Sequence, residues 1–166
     1  MLAEDISNNV FYNSPIGIIR LEVTDDAITV VSFHNDDMKS FSYSSGHPVL
    51  DEAVIQLDEY FKGTRKTFQL PFGPVGTTFQ QKVWNELLKI EYGTTVTYLH
   101  MAKRLGNVKS IRAAASANGK NPIAIMIPCH RVVGADGKLT GYAGGLHRKQ
   151  WLLEHEAKFA GQPSLF

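Results

Sequence analysis

The chain carries a single cysteine, Cys129, in 166 residues. One cysteine closes no internal disulfide and builds no Cys-based zinc site, so neither staple is expected to hold the fold. No apolar run approaches the roughly 20 residues that span a bilayer. The opening MLAEDISNN also lacks the basic start and apolar stretch of a signal peptide. These absences predict a soluble, cytoplasmic protein with no membrane, metal or cofactor. Internal repeats and low-complexity segments are missing too. With 43% hydrophobic and 20% charged residues, disorder and fibrous architectures are excluded. The length suffices for one compact domain or two small ones.

A net excess of either charge sign is likewise missing, the formal value being +1. That balance hides a division. Residues 1–75 hold 11 Asp/Glu against 5 Lys/Arg, whereas residues 76–166 hold 5 against 12. A basic second half suits a polyanionic partner, although two solvated faces that cancel would give the same numbers.

Two alternating runs, 16–23 (IGIIRLEV) and 27–34 (AITVVSFH), flank Thr24-Asp25-Asp26 and read as a β-hairpin. After SSGHP, apolar residues from Val49 to Phe61 recur at helical spacing until Gly63. The Pro/Gly-dense LPFGPVG, at 70–76, is the expected boundary between domains 1–75 and 76–166. In the second half, Thr77 or Thr78 is expected to cap a helix carrying Phe79, Val83, Leu87 and Leu88 and ending near Tyr92-Gly93. Two short helices, 97–105 with Leu99, Ala102 and Leu105 inward and 109–117, flank Gly106-Asn107 at helix-turn-helix spacing. The chain is then expected to extend through 121–127, turn at Pro128, loop past Gly134 to Gly141, and close with a helix over 146–157.

The second of the paired helices is poor in base-reading side chains: apart from Arg112, its middle is Ala, Ser and Ile. Small residues let a helix approach a minor groove closely, and they equally suit tight packing against another helix. Pro128-Cys129-His130-Arg131 offers a thiol beside an imidazole, a pairing that can activate a nucleophile at a turn or through a water. A cysteine in an apolar run can also be inert core. Glu156 follows Leu152 and Leu153 by four and three residues and so shares their inward face, where His130 is an obvious partner; a fraying surface acid is the alternative. Asn121, Tyr98 and Tyr142 are candidate turn-locking and donor side chains.

Together these residues resemble the O6-alkylguanine-DNA alkyltransferases. The resemblance rests on Ile127-Pro128-Cys129-His130-Arg131-Val132-Val133. It extends from Gly76-Thr77-Thr78-Phe79-Gln80 through Tyr92-Gly93, Gly119-Lys120-Asn121-Pro122 and Gly141-Tyr142-Ala143-Gly144-Gly145 to Trp151-Leu152-Leu153, about the last 90 residues. The N-terminal part, with Ser14-Pro15-Ile16-Gly17, is similar only loosely. The resemblance implies an α+β fold: a small ribonuclease-H-like α/β domain, then a mainly helical domain with the helix-turn-helix and active site. It makes Cys129 the alkyl acceptor, activated through a water by His130, which Glu156 holds. Asn121 would brace the turn, and Tyr98 would donate to the lesion base or its phosphate. Arg112 would fill the base stack, with Ser110, Ala113 and Ser116 along the DNA-facing side. Val132, Tyr142, Ala143 and Gly144 would form the pocket. The implied partner is double-stranded DNA carrying O6-alkylguanine, O4-methylthymine being a second substrate. The protein would act once, as a monomer, by flipping the nucleotide out. Glu91 stands where members of the family often have proline. The rival readings are a non-catalytic alkyl-lesion-binding protein, a Cys–His–Glu thiol hydrolase and a helix-turn-helix regulator.

Overall fold

The computed structural model describes residues 8–35 and 46–161. The chain divides into two compact units, Met1–Pro74 and Val75–Phe166.

The first unit is built on an antiparallel sheet, β1 (Asn9–Ser14), β2 (Gly17–Thr24) and β3 (Ala27–His34), in the order β1-β2-β3. The hairpin forms where the alternation placed it. Its tip is Asp25-Asp26, both at positive φ (50° and 61°), a conformation that short polar side chains tolerate. β1 was not expected. Only Val10, Tyr12 and Ser14 of NVFYNS turn inward, and two of those three carry hydroxyls, so its alternation is masked. Helix α1 (Pro48–Phe61) starts with Pro48 in its first turn, and His47 accepts the Val49 N–H as its cap. Leu50, Ala53, Leu57 and Tyr60 are buried with Val10, Ile19, Leu21 and Ile28 to form the core. The return segment is fastened to β3 by Ile28 N–H to Pro71 O (2.8 Å) and Gly73 N–H to Ile28 O (2.8 Å).

In the second unit, α2 (Thr78–Leu87) begins with a reciprocal capping box between Thr77 and Gln80. Its indole Trp84 donates to Ala117 O (2.9 Å), tying the helix to the helical residues 111–119. Gly76 permits this packing, because a Cβ there would sit 2.3 Å from the Trp84 ring. α2 ends at Leu87, short of the expected Tyr92-Gly93. The Ile90 carbonyl is taken by Arg131 and the Gly93 N–H faces Glu156, so groups that a longer helix would pair internally are used by the site instead.

Strand β4 (Val96–Thr97) leads into α3 (Tyr98–Arg104), with Thr97 as cap. A one-turn 3₁₀ segment (Val108–Ser110) and α4 (Ile111–Gly119) follow. The buried stripe of α3 runs through Met101 and Ala102, with Leu105 half-buried; Leu99 falls off it and is 44% exposed, contrary to its expected inward placement. Residues 121–127 do not extend. They fold into successive turns, with Ile127 N–H bonded to Ile123 O (3.0 Å) and Ile125 at φ 70°, a strained position for a β-branched residue. A second 3₁₀ turn (Cys129–Arg131) enters β5 (Val132–Val133), which pairs in parallel with β4. Helix α5 (Leu146–Phe159) closes the unit on buried Leu152, Leu153 and Ala157.

Candidate functional site

Three elements meet at Cys129: the 3₁₀ turn that carries it, the 121–127 turns and α5. Pro128 caps the 3₁₀ turn, and Arg131 N–H closes it on Pro128 O (3.0 Å). Asn121 locks the approach. Its Nδ2 donates to Ile123 O (3.2 Å) and Ile127 O (2.8 Å), and its Oδ1 accepts Ile123 N–H (3.0 Å). The bracing role implied for Asn121 therefore has a geometry: it gathers five residues of backbone into one turn beside the thiol.

His130 and Glu156 are both fully buried, and His130 Nε2 lies 2.7 Å from Glu156 Oε2. Arg131 also reaches the carboxylate, Nε to Oε1 at 2.7 Å and Nη2 to Oε2 at 3.0 Å, while its Nη1 donates to Ile90 O at 2.7 Å. Burial alone would raise the Glu156 pKa, but the hydrogen bond from His130 and the charge and hydrogen bonds of Arg131 hold it well below the ordinary carboxylate range. It is an anion, so it accepts, and His130 must carry its proton on Nε2. Burial pushes the imidazole pKa down, with Glu156 opposing and Arg131 and Lys149 adding to the shift. The ring is thus neutral at rest, and Nδ1 is a lone-pair acceptor. That atom is buried and meets no hydrogen-bond partner among the described residues.

Cys129 is 6% exposed, and its burial pushes the thiol pKa up, against the opposing influence of the nearby Asn121 amide and the charge of Lys149. The resting group is a thiol that must be deprotonated when it reacts, rather than a standing thiolate. Lys149 is fully buried on the same stripe of α5 as Leu152, Leu153 and Glu156. Its Nζ donates to Val132 O (2.7 Å) and Thr140 O (2.9 Å). Burial lowers its pKa to about 8.

Beside this core lies a surface cavity of about 630 Å³ whose wall includes Tyr98, Arg112, Ala115, Thr140, Tyr142 and Ala143. Tyr98 is half-buried, with its hydroxyl donating to Thr140 O at 3.5 Å. Tyr142 joins cavity to thiol: burial raises its phenol well above the ordinary value, and a Cys129 thiolate would raise it further. Arg112, Ala113 and Ser116 are exposed on α4. Three expected positions differ. Val132 is wholly buried with its carbonyl held by Lys149, and Gly144 gives its carbonyl to Arg148 (3.1 Å), so neither lines the cavity. The Ser110 hydroxyl donates to Asn107 O at 2.5 Å, which spends it on the interhelix turn.

Residues 78–158 match the family described as 6-O-methylguanine DNA methyltransferase, DNA binding domain, and residues 9–74 match that family's ribonuclease-like domain. The chain is 46% identical over 148 residues to the methylated-DNA–protein-cysteine methyltransferase of Methanosarcina acetivorans, an alignment covering 87% of this chain and 95% of that protein. The chain belongs to the O6-methylguanine DNA methyltransferase family. Its Haemophilus influenzae relative of the same name is 37% identical, with 88% of this chain and 84% of that one aligned. Among solved structures, Mycobacterium tuberculosis OGT in complex with DNA superposes with a TM-score of 0.81 at 39% identity, covering 94% of this chain and 95% of that one. The α+β architecture is therefore that of a methyltransferase of this family, a ribonuclease-like domain followed by a DNA-binding one.

Sequence reasoning placed Cys129, His130 and Glu156 together, and missed Arg131 and Lys149 as site residues. For Lys149 a signal existed: it precedes Leu152, Leu153 and Glu156 by three, four and seven residues, the repeat of one helix face. For Arg131 the signal was a guanidinium set between apolar runs 123–127 and 132–133.

Proposed function

We propose that this chain is a DNA repair methyltransferase that takes the alkyl group from O6-alkylguanine in duplex DNA onto its own Cys129. The observation that carries this reading is the buried arrangement at Cys129: His130 tied to Glu156 at 2.7 Å, with its Nδ1 acceptor meeting no partner among the described residues, next to the thiol-bearing residue. Membership of the family and the shared name of its relatives, methylated-DNA–protein-cysteine methyltransferase, support it.

In the transfer, His130 Nδ1 takes the thiol proton through a bridging water, and Glu156 steadies the imidazolium that results. The thiolate then attacks the alkyl carbon. A sulfur–carbon bond forms as the carbon–O6 bond breaks, and the guanine departs with the electron pair and is protonated. Lys149 stabilises the thiolate before attack. The product is a thioether, and the chain has no second cysteine to resolve it, so each molecule acts once.

The α3–α4 pair serves as a helix-turn-helix. Ala113 and Ser116 allow close approach of α4 to the minor groove, and Arg112 fills the gap left by the extruded nucleotide. The base then occupies the cavity between Tyr98, Tyr142 and Ala143. O4-methylthymine is the second substrate, and the protein works as a monomer. The test is a labelled methyl group in an O6-methylguanine duplex. Label should move to protein and stop at one per molecule. Tight binding without movement of label would replace this reading with a non-catalytic lesion binder, and repeated turnover would replace it with a hydrolase.

A further inference from the structure

Asn118 lies on the inner side of α4 and is 4% exposed. Its Nδ2 donates to the carbonyl oxygen of Cys129 at 3.4 Å. The amide cannot be turned over, because Oδ1 in that place would set two acceptors against each other. Oδ1 is therefore aimed elsewhere, and it is buried with no hydrogen-bond partner among the described residues. Leaving such an oxygen unpaired is costly, so an apolar residue of the same size would serve packing better. The donor at Nδ2 is what an apolar residue could not supply.

The carbonyl so held belongs to the peptide between Cys129 and His130. Neighbouring side chains on a regular backbone diverge, and their mutual geometry here depends on how that peptide is oriented. The carbonyl takes one bond from Val132 N–H, the local closure of the 3₁₀ turn, and a second from Asn118 on α4. α4 is also the helix that carries Arg112, Ala113 and Ser116.

We propose that Asn118 is a positioning residue that pins the peptide joining the alkyl acceptor to its base, and so couples the orientation of Cys129 and His130 to α4. This rests on the alkyl-transfer reading of the site.

Wild type, Asn118→Leu and Asn118→Asp are to be compared in single-turnover transfer from an O6-methylguanine duplex, from mildly acidic to mildly alkaline pH. Asn118→Leu keeps the branched shape of the side chain and removes the donor; its transfer should slow about tenfold, with duplex affinity and melting temperature near wild type. Asn118→Asp places an ionised acceptor against a carbonyl oxygen and should be slower still at neutral pH. Once protonated, the buried acid donates again, so its rate relative to wild type should rise as pH falls. His130, Arg131, Tyr142, Lys149 and Glu156 face the turn in every variant, so their titration largely cancels in that ratio. A structural role alone would give rates that follow melting temperature and a ratio flat with pH. Asn118→Leu at the wild-type rate, or an Asn118→Asp ratio independent of pH, would overturn the proposal. The pH dependence of the ratio compares folded Asn118→Asp with wild type, so it decides the proposal even where Asn118→Leu fails to fold. If wild type itself leaves Cys129 unalkylated, the alkyl-transfer reading fails instead.

Discussion

The two units bury different things. Among the described residues, the buried polar side chains of the first unit are Ser14 and Gln56, both neutral, whereas the second buries His130, Arg131, Lys149, His155 and Glu156 along with Asn118. Gln56 illustrates the first kind: its amide pairs with both the N–H (2.9 Å) and the C=O (3.2 Å) of Gln69, so it acts as one more rung of backbone pairing. The second unit holds a carboxylate, a guanidinium, an imidazole and an ammonium within one core, an arrangement that apolar residues of similar volume would often match or exceed in stability. Charges are kept there at a cost because they set protonation states around Cys129.

The contrast breaks most completely at the thiol. Cys129→Ala should abolish transfer while leaving lesion binding and melting behaviour close to wild type; loss of folding in circular dichroism would count against a purely chemical role. Next in size is Glu156→Gln, which strands Arg131 in the core. It should cost about 3–5 kcal/mol in urea unfolding, as expected for one partner removed from a buried pair. A loss below 1 kcal/mol would mean the cluster is better solvated than its burial implies. Lys149→Met removes the donor that bridges Val132 O and Thr140 O, for about 2 kcal/mol. It should also make the thiol harder to ionise, read as a slower reaction with iodoacetamide at neutral pH. In the first unit, Gln56→Leu should cost about 1–2 kcal/mol and leave the transfer rate unchanged.

Acid should separate the units in the same sense. Both Glu156 and His130 have folded-state pKa values below their ordinary ones. The folded protein therefore binds fewer protons than the unfolded chain as pH falls. Stability contributed by His130 is present above its unfolded value of about 6.5 and is lost as pH drops through its folded one; that of Glu156 is lost at lower pH, below the carboxylate range. Amide protection factors in α5 should fall from mild acid downward before those in β2 do. The smallest effect is expected from Arg112→Ala, about tenfold or less on binding of a lesion duplex and less still on an undamaged one. Equal losses on both would remove its role as the residue that fills the stack.

What the sequence reveals follows the same line. Cys129-His130 is contiguous and Glu156 sits on an apolar helix stripe, so local pattern brings them forward. Lys149 and Arg131 read as surface charges by type, and only packing across three elements turns them inward. The hairpin was legible because its two strands alternate cleanly. β1 was not, since Tyr12 and Ser14 hide its inward face, and the two-residue strands β4 and β5 carry no pattern of their own. The apolar run 123–127 suggested an extended strand, but Asn121 at its head captures the carbonyls of Ile123 and Ile127 and curls it into turns. Leu99 shows the limit of helical spacing in a seven-residue helix: with so few turns, the identity of the residues does not fix which stripe faces the core.

The central claim is that Cys129 is the acceptor. The protein should be mixed with a duplex holding one O6-methylguanine, weighed intact and then mapped by peptide. A single methyl increment on the peptide containing Cys129, saturating at one per molecule, is the predicted result. Methyl carried on any other residue, or a consumed lesion with the protein unmodified, would contradict it.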